Sequence, residues 1–340
     1  MPKTNAFGLL ALLVVFQLLV VAPAYSHAQR NSKLSETIDD RPIVGVLTQP
    51  MYSSEKSYIA ASYVKFVESG GARVVALHYD SSAEELHRLF KGINGILFPG
   101  GGASIASNST FFQSALFLWN LALEENDRGV HFPIWGTCLG FELIHELVAR
   151  NFSTASTLSP DVVSGGFDSE DLPLPLNMTA SAANSRLLGR NDGRSILNSQ
   201  LFLKMQYDRL TYNSHKMGVS PDAYKDESNG LSSFFTILST NVDRKGKPFV
   251  STIEGRFYPI FATQWHPEKN SFEFNPSQAF PHSADAVLVS LAMSNFFVGE
   301  CRKNSHAFPT AQDEEMSLIY NTEVQFIPSG YFSQIYTWDN

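Results

Sequence analysis

The sequence predicts an α/β fold: a three-layer arrangement in which helices cover both faces of a mostly parallel sheet, with antiparallel strands added in the second half. Short apolar segments and helical patterns alternate before residue 150, which is typical of parallel strands joined by crossover helices. After residue 200 apolar segments follow one another with little helix between them, which favours antiparallel pairing. A chain of 340 residues with 44% hydrophobic composition can bury a core of that size.

In the first half, each predicted strand is a short apolar run, and each predicted helix has apolar residues at helical spacing. Ser82 is expected to cap the second helix, and Gly70 with Gly71 to end the first. In chain order, the strands are predicted at residues 42–48, 72–79, 93–98 and 131–137, and the helices at 58–71, 82–92, 111–125 and 139–149.

The second half is predicted to be richer in strands. The apolar segment 283–300 has the length of a helix that closes the core, and the acidic and aromatic tail after Cys301 is expected to pack on the same domain. We therefore predict one domain over residues 41–300 and a C-terminal extension over residues 301–340. The second-half strands are expected at residues 201–207, 234–241, 249–255 and 258–265.

The N-terminus has the pattern of a secretory signal peptide. One early lysine precedes an apolar run from Phe7 to Val21, and small residues follow. A transmembrane anchor is the alternative, but the run is short for a bilayer crossing of about 20 residues. We expect residues 1–26 to be the signal peptide and residues 27–40 a polar leader. The protein would then enter the secretory pathway, without stable membrane insertion, and reach the extracellular space or a lysosome or vacuole.

Glycosylation motifs and charge agree with export. Asn-x-Ser/Thr sequences begin at Asn108, Asn151 and Asn177, and these asparagines are candidate glycan acceptors. The formal charge of -8 comes without a basic tract, which argues against nucleic-acid binding and an electrostatic membrane anchor. A disulfide between Cys138 and Cys301 would consume the candidate nucleophile described next, so we expect both cysteines to be reduced.

Cys138 lies between two glycines in "WGTCLGFE", after a predicted strand and before a predicted helix. A strand, a tight turn and a helix place such a side chain on a nucleophile elbow, with Gly136 and Gly140 permitting the bend. A buried structural cysteine is the alternative, since most cysteines are buried. The flanking glycines at a strand–helix junction favour the nucleophile.

His266 and Glu268 follow another predicted strand, in "QWHPEK". Imidazole can take the thiol proton and later protonate a leaving amine, while a carboxylate on its other nitrogen fixes the tautomer. Taken alone this would more often be an ordinary loop; paired with Cys138 it indicates catalysis. The backbone N–H groups of Leu139 and Gly101 are the candidate oxyanion donors, although the glycines at 100–102 also suit a plain turn.

These motifs resemble the class I glutamine amidotransferases and, over longer stretches, the γ-glutamyl hydrolase (folylpolyglutamate hydrolase) family. The matching stretches are "YIAASYVKFVESGGARVV", "INGILFPGG", "FPIWGTCLGFE" and "QWHPEK". The resemblance spans most of residues 42–304, while residues 158–200 and the end of the chain match weakly. It implies a flavodoxin-like, glutamine amidotransferase-like fold and hydrolysis of γ-glutamyl amide bonds in folylpoly-γ-glutamates.

The resemblance also implies substrate-binding residues. Glu142 stands where amidotransferases typically carry glutamine, and a role in binding the α-amino group of a γ-glutamyl unit would suit it; an exposed carboxylate on a first helical turn is the alternative. His215 matches a histidine near the hydrolases' active site, with a surface loop as the alternative. Tyr63 falls in a matching stretch and is a candidate pocket residue, although its helical spacing favours core packing.

The implied mechanism is acyl transfer through a γ-glutamyl thioester, with folylpoly-γ-glutamate as the small-molecule partner. We expect no metal or organic cofactor, since the sequence has no metal-ligand cluster. A homodimer is left open. Two alternatives remain: a related Cys-His glutaminase or amidase, and a catalytically retired secreted glycoprotein. The intact Cys138, His266 and Glu268 argue against the second.

Overall fold

The apolar residues of the first strand alternate between two hydrophobic cores. In the computed structural model, which describes residues 39–51, 54–152, 162–189, 197–328 and 330–339, β1 (Ile43–Leu47) turns Ile43 and Leu47 to one core and Val44 and Val46 to the other. Since side chains alternate across a strand, β1 must lie in a sheet that is covered on both faces. The expected signal peptide and leader lie almost wholly outside the described residues.

Strands and helices alternate through the first half of the chain. Ser82 caps the second helix as predicted, since its side chain accepts a hydrogen bond from the Glu85 N–H. The elements that follow β1 are β2 (Gln49–Pro50), β3 (Lys56–Ala60), α1 (Ala61–Ser69), β4 (Arg73–Leu77), α2 (Ala83–Gly92), β5 (Gly95–Phe98), α3 (Thr110–Asp127), β6 (Ile134–Thr137) and α4 (Leu139–Phe152).

The second half contains most of the antiparallel strands. Its elements are β7 (Val163–Leu174), β8 (Asn177–Met178), α5 (Ser199–Tyr207), β9 (Thr211–Val219), α6 (Leu231–Phe234), β10 (Phe235–Val242), β11 (Pro248–Gly255), β12 (Ile260–Thr263), α7 (Lys269–Phe272), α8 (Ala284–Cys301), α9 (Ala311–Ser317), β13 (Gln325–Phe326) and β14 (Gln334–Asp339). Short 3-10 turns connect several of them.

The central sheet has the strand order β4-β1-β5-β6-β12-β11-β10-β8. The first five strands are parallel, and numbered among themselves they run 2-1-3-4-5, the flavodoxin-like order. The last three are antiparallel to their neighbours. The predicted fold class is therefore confirmed, including the antiparallel strands added by the second half.

Helices cover both faces of this sheet. Apolar residues of α2, α3 and α4 belong to one core cluster, and those of α1, α5 and α8 belong to the other. Helix α8 is long and apolar enough to cross a membrane by composition alone, but 56% of it is buried inside the fold, so it serves as a core helix. Cys301, at its end, is buried and free, as is Cys138.

Two of the sequence-based element predictions are wrong. Residues 201–207 belong to helix α5, not to a strand: Asn198 caps the helix, and Leu201, Phe202 and Met205 form its buried face. A short apolar run does not distinguish the two structures by its pattern alone. The first residues of the helix predicted at 58–71 instead form the end of β3.

Two smaller sheets complete the fold, and neither was predicted. Strands β7 and β9 form an antiparallel pair. Strands β13, β14, β3 and β2 form the other sheet, in which Ile335 of β14 pairs with Ala60 of β3. The end of the chain thus lies beside a strand that immediately precedes α1.

Candidate active site

The predicted catalytic residues gather, together with Gln49, where four parallel strands end. Gln49 follows β1, residues 99–102 follow β5, Cys138 follows β6, and His266 comes shortly after β12. Ligands of open parallel sheets bind beyond these carboxyl ends. The strand order therefore brings together residues that are far apart in sequence.

Cys138 has the backbone geometry of a nucleophile elbow. Its φ is 51°, a left-handed conformation that is unusual outside glycine, and its N–H donates to the Thr263 carbonyl at 2.8 Å. A side chain at Gly140 would overlap the Phe98 carbonyl oxygen. Glycine at 140 therefore lets the first turn of α4 pack against the end of β5.

The thiol of Cys138 is buried among acidic groups. Burial raises its pKa well above the usual value, and the carboxylates of Glu142 and Glu268 raise it further. The backbone N–H of Leu139 and the ammonium of Lys269 act in the opposite direction. The resting cysteine is therefore a neutral thiol, and a base must remove its proton before it can attack.

His266 is oriented as such a base. Its Nδ1 donates to Oε1 of Glu268 at 2.7 Å, with both side chains buried. Because the carboxylate accepts a hydrogen bond from the Nδ1–H group, Nε2 of the neutral ring carries the lone pair. Burial lowers the pKa of His266, against the opposing effect of Glu268, so the ring is neutral and able to accept a proton. No described residue hydrogen-bonds to Nε2.

Cys138 and His266 flank Gly100. A methyl group at Gly100 would lie 2.8 Å from Cε1 of His266 and 3.1 Å from Cβ of Cys138. Both side chains also line one cavity of about 270 Å³. A cysteine and a neutral histidine that meet across a glycine can perform acyl transfer.

The turn after β5 leaves one backbone donor free. The Gly100 N–H donates to the Tyr63 hydroxyl at 2.7 Å, and the Gly102 N–H donates to Oε1 of Gln49 at 3.1 Å. Among the described residues, the Gly101 N–H has no acceptor. Gly101 lines the cavity, and the backbone N–H of Leu139, the first residue of α4, acts on the Cys138 sulfur. The oxyanion role of both groups stays a prediction.

Buried Gln49 holds this turn, a role that the sequence reasoning missed. Its amide nitrogen donates to the carbonyls of Pro99 and Gly100, and its amide oxygen accepts from the N–H groups of Gly102 and Ala103. A signal was available: Gln49 is a polar residue just after a buried parallel strand, where functional residues collect.

Tyr63 does not line the cavity. It is buried in α1, and besides accepting from Gly100 its hydroxyl lies 3.4 Å from Nδ1 of His266. It therefore links the turn after β5 to the histidine. The arrangement suits positioning better than direct substrate contact, and the predicted substrate role stays a prediction.

Glu142 is buried rather than exposed on the first turn of α4. Its Oε1 accepts a hydrogen bond from Nε2 of Gln264 at 3.0 Å. Burial raises its pKa to about 7, partly opposed by that hydrogen bond. Glu142 does not line the cavity either, but its charge acts on the Cys138 thiol.

His215 lies in strand β9, so the surface-loop alternative is wrong. It is buried, and its Nδ1 donates to the Met217 carbonyl at 2.6 Å. Burial lowers its pKa to about 4. A neutral ring with Nδ1 protonated leaves Nε2 as an acceptor, and no described residue uses it.

The rest of the cavity wall was not predicted from sequence. Ser214 lies next to His215, and its carbonyl accepts a weak hydrogen bond from the Cys138 thiol at 3.8 Å. No local sequence pattern marks these residues, because the chain brings them to the cavity from distant segments. The other such lining residues are Tyr58, Glu170, Tyr331 and Phe332.

Two of the three candidate glycan acceptors can be located fully. Asn108 is exposed in the turn before α3, and Asn177 is exposed in the edge strand β8. Asn151 lies in the last turn of α4, but its side chain is outside the described part of the structure.

Comparison with known proteins identifies relatives over most of the chain. The model of the family "Glutamine amidotransferase class-I" matches residues 52–282. Gamma-glutamyl hydrolase B of Dictyostelium discoideum is 41% identical over 305 residues, covering 87% of this chain and 82% of that protein. Gamma-glutamyl hydrolase of Mus musculus is 39% identical, with 88% and 90% covered. Gamma-glutamyl hydrolase of Homo sapiens is 37% identical, with 87% and 86% covered.

Proposed function

This chain belongs to the γ-glutamyl hydrolase family, within the class I glutamine amidotransferases, and we propose that it cleaves folylpoly-γ-glutamates through a thioester on Cys138. As a member of this family, the protein is an enzyme that hydrolyses γ-glutamyl bonds. The choice of folate conjugates and the Cys-His mechanism are the proposal.

One observation carries the mechanism: the 2.7 Å hydrogen bond from Nδ1 of His266 to Glu268. It directs the imidazole lone pair to Nε2, and a side chain at Gly100 would touch both that ring and Cys138. A histidine held in this tautomer can act as a base for the thiol and then as an acid for the leaving group.

Acylation begins when Nε2 of His266 takes the thiol proton and the sulfur attacks the γ-carbonyl carbon. A C–S bond forms, and the carbonyl electron pair moves onto oxygen. The N–H groups of Leu139 and Gly101 would hold that oxyanion. When the intermediate collapses, the C–N bond breaks, and His266 returns the proton to the departing amine. A γ-glutamyl thioester remains on Cys138.

Deacylation uses the same groups in reverse roles. Nε2 of His266 takes a proton from water, and the hydroxide attacks the thioester carbonyl. The C–S bond then breaks, the sulfur regains the proton, and a free γ-carboxylic acid leaves. Neither step requires a metal or an organic cofactor.

The chemistry of poly-γ-glutamate refines the role proposed for Glu142. Along such a chain every α-nitrogen is an amide N–H; a free α-ammonium exists only when the γ-glutamyl unit is the first one and carries no acyl group. A carboxyl with a pKa of about 7 is mostly neutral in an acidic organelle. We therefore propose that Glu142, which does not line the cavity, acts on the Cys138 thiol instead of holding a substrate ammonium. The substrate role of His215, which does not line the cavity either, stays a prediction.

The test is product analysis on a folate pentaglutamate with the purified mature protein. We expect shorter folates and glutamate or glutamyl peptides, together with a Cys138 acyl adduct in acid-quenched samples by mass spectrometry. Cleavage of free glutamine but not of the folate conjugate would favour the glutaminase alternative. Failure of Cys138 to react with a thiol-directed glutamine analogue would favour the retired scaffold.

We also propose that the protein travels the secretory pathway. The apolar N-terminal run and the exposed Asn108 and Asn177 support this. Expression in a eukaryotic host followed by N-glycosidase digestion should lower the apparent mass of the processed protein. A protein that keeps residues 1–26 and shows no mass change would contradict the proposal.

A further inference from the structure

The residue after Glu268 is a lysine whose ammonium is enclosed by aromatic rings. Lys269 is fully buried, and its Nζ lies 4.3 Å from the ring centroid of Tyr331, 4.7 Å from that of Phe332 and 5.3 Å from that of Phe280. No described residue hydrogen-bonds to Nζ. Cation–π attraction is strongest when the cation is desolvated, so this contact fixes Tyr331 and Phe332 beside the catalytic turn.

Tyr331 and Phe332 belong to a short segment, residues 330–333. Hydrogen bonds attach this segment to residues 273–275, which follow the turn that carries His266 and Glu268. The Ser333 N–H donates to Oε2 of Glu273 at 2.6 Å, and the Phe274 N–H donates to Oγ of Ser333 at 3.2 Å. The side-chain amide of Asn275 donates to the Gly330 carbonyl at 2.9 Å. The segment is therefore a fixed wall and not a loose tail.

Ser214 connects this wall to the nucleophile. The Tyr331 hydroxyl donates to Oγ of Ser214 at 2.8 Å, while the Ser214 carbonyl contacts the Cys138 thiol at 3.8 Å. A single residue therefore separates Tyr331 from the reacting sulfur. Tyr331 is 43% exposed and lines the cavity, so part of it is available to a ligand.

The cavity offers aromatic surface rather than positive charge. Tyr58, Phe332 and Tyr331 form a continuous series, with ring centroids 6.0 Å and 4.9 Å apart. None of the described residues that line the cavity is a lysine or arginine, and Glu170 supplies a carboxylate there. Lys216 pairs with Glu170 at 3.0 Å from the exposed rim. The wall thus suits a neutral, flat group better than a second carboxylate.

We propose that Tyr331 is a specificity-determining residue whose ring contacts an aryl group on the acyl side of the scissile bond. This inference rests on the proposed function. In a folate diglutamate, the p-aminobenzoyl ring is joined to the reacting γ-glutamyl unit by its α-amide. A cavity of about 270 Å³ is below the usual range for ligand pockets, roughly 300–1,000 Å³. A cavity of this size has room for the γ-glutamyl unit and one neighbouring group. In this proposal the neighbouring group is the aryl amide.

The test compares two substrates that differ only in this group: N-(p-aminobenzoyl)-γ-glutamylglutamate and N-acetyl-γ-glutamylglutamate. In Tyr331→Ala, kcat/KM for the aryl substrate should fall by roughly fivefold to tenfold, which corresponds to the binding energy that one aromatic contact usually contributes. The acetyl substrate lacks the aryl group, so its kcat/KM should fall by a clearly smaller factor, which measures what the variant does to Ser214 and Lys269. Tyr331→Phe keeps the ring and should retain the preference for the aryl substrate.

Phe326→Ala is the matched control, because Phe326 is a 68% exposed aromatic residue of β13 that does not line the cavity. It should leave both rates unchanged. Equal losses on both substrates in Tyr331→Ala, or no loss on either, would overturn the inference. Failure of the proposed function looks different: the wild-type protein would leave both substrates intact, and Cys138 would form no acyl adduct.

Discussion

Glu268 accepts a hydrogen bond from Nδ1 of His266 at 2.7 Å, and one residue further along the chain the Lys269 ammonium is enclosed by aromatic rings. The two side chains act on the imidazole with opposite sign: the carboxylate raises the pKa of His266, and the ammonium lowers it. Burial lowers that pKa further and is the largest effect. The turn therefore keeps the base neutral while fixing its orientation.

Replacement of the nucleophile should separate the two cysteines. Cys138→Ala should reduce turnover by on the order of 10⁴-fold or more, the scale seen when a covalent nucleophile is removed, with an unchanged circular dichroism spectrum. Cys301→Ala is the control, since Cys301 is buried at the end of α8, in the core cluster that packs α1 and α8 on the sheet. It should keep kcat near the wild-type value. Substantial hydrolysis by a well-folded Cys138→Ala protein would end the thioester mechanism.

Loss of the Glu268 charge should shift the pH profile as well as the rate. A charge-assisted hydrogen bond is worth about 1.5–3 kcal/mol, so Glu268→Gln should lower kcat/KM by about tenfold to a hundredfold, less than His266→Ala. Because Glu268 raises the pKa of His266, the acid limb of kcat/KM should move to lower pH in Glu268→Gln. An unmoved limb would mean that His266 is not the group titrating there.

Loss of the Lys269 charge should shift the acid limb of the kcat/KM profile in the direction opposite to that expected for Glu268→Gln. Lys269 lowers the pKa of both His266 and Cys138, so both values should rise in Lys269→Met. The acid limb of kcat/KM should then move to higher pH. Lys225→Met, at a lysine whose side chain is 80% exposed, is the control and should show no shift. A rate loss in Lys269→Met without any shift would indicate only a packing role.

Glu142→Gln should make the thiol easier to ionise, but only above a certain pH. The Glu142 charge raises the pKa of Cys138, and Glu142 itself ionises at about pH 7. At pH 8 the variant should therefore react faster than wild type with iodoacetamide at Cys138. At pH 5 Glu142 is protonated in the wild type, and the two rates should converge. Equal alkylation rates of the variant and the wild type at pH 8 would show that the Glu142 charge does not affect the pKa of the Cys138 thiol.

Gln49 should affect turnover more than affinity, because it holds the turn that carries Gly101. Gln49→Met keeps the volume but removes the hydrogen bonds to both sides of that turn. Misplacing one oxyanion donor should lower kcat by roughly 10²-fold, with a smaller change in KM. Gln200→Met, at an exposed glutamine of α5, is the control. A change confined to KM would assign Gln49 to substrate binding instead.

Local patterns in the sequence were sufficient to place Cys138 at a strand–helix elbow and His266 in a turn after a buried strand. They were also sufficient for the parallel half of the sheet. They were insufficient for α5, where Leu201 and Phe202 fit either structure, and for Tyr331, whose place beside Ser214 depends on pairing across the whole chain. The role of Lys269 was hidden because burial of a lysine is set by tertiary contacts.

Because β14 pairs with β3, this sheet can form only after both strands have been synthesised. Translation delivers β3 long before β14, so this edge of β3 stays open until β14 has left the ribosome. An open strand edge is a site for mispairing, and the cavity lacks Tyr331 and Phe332 for the same interval. A nascent chain that folds its parallel sheet before β14 emerges would therefore carry an incomplete cavity.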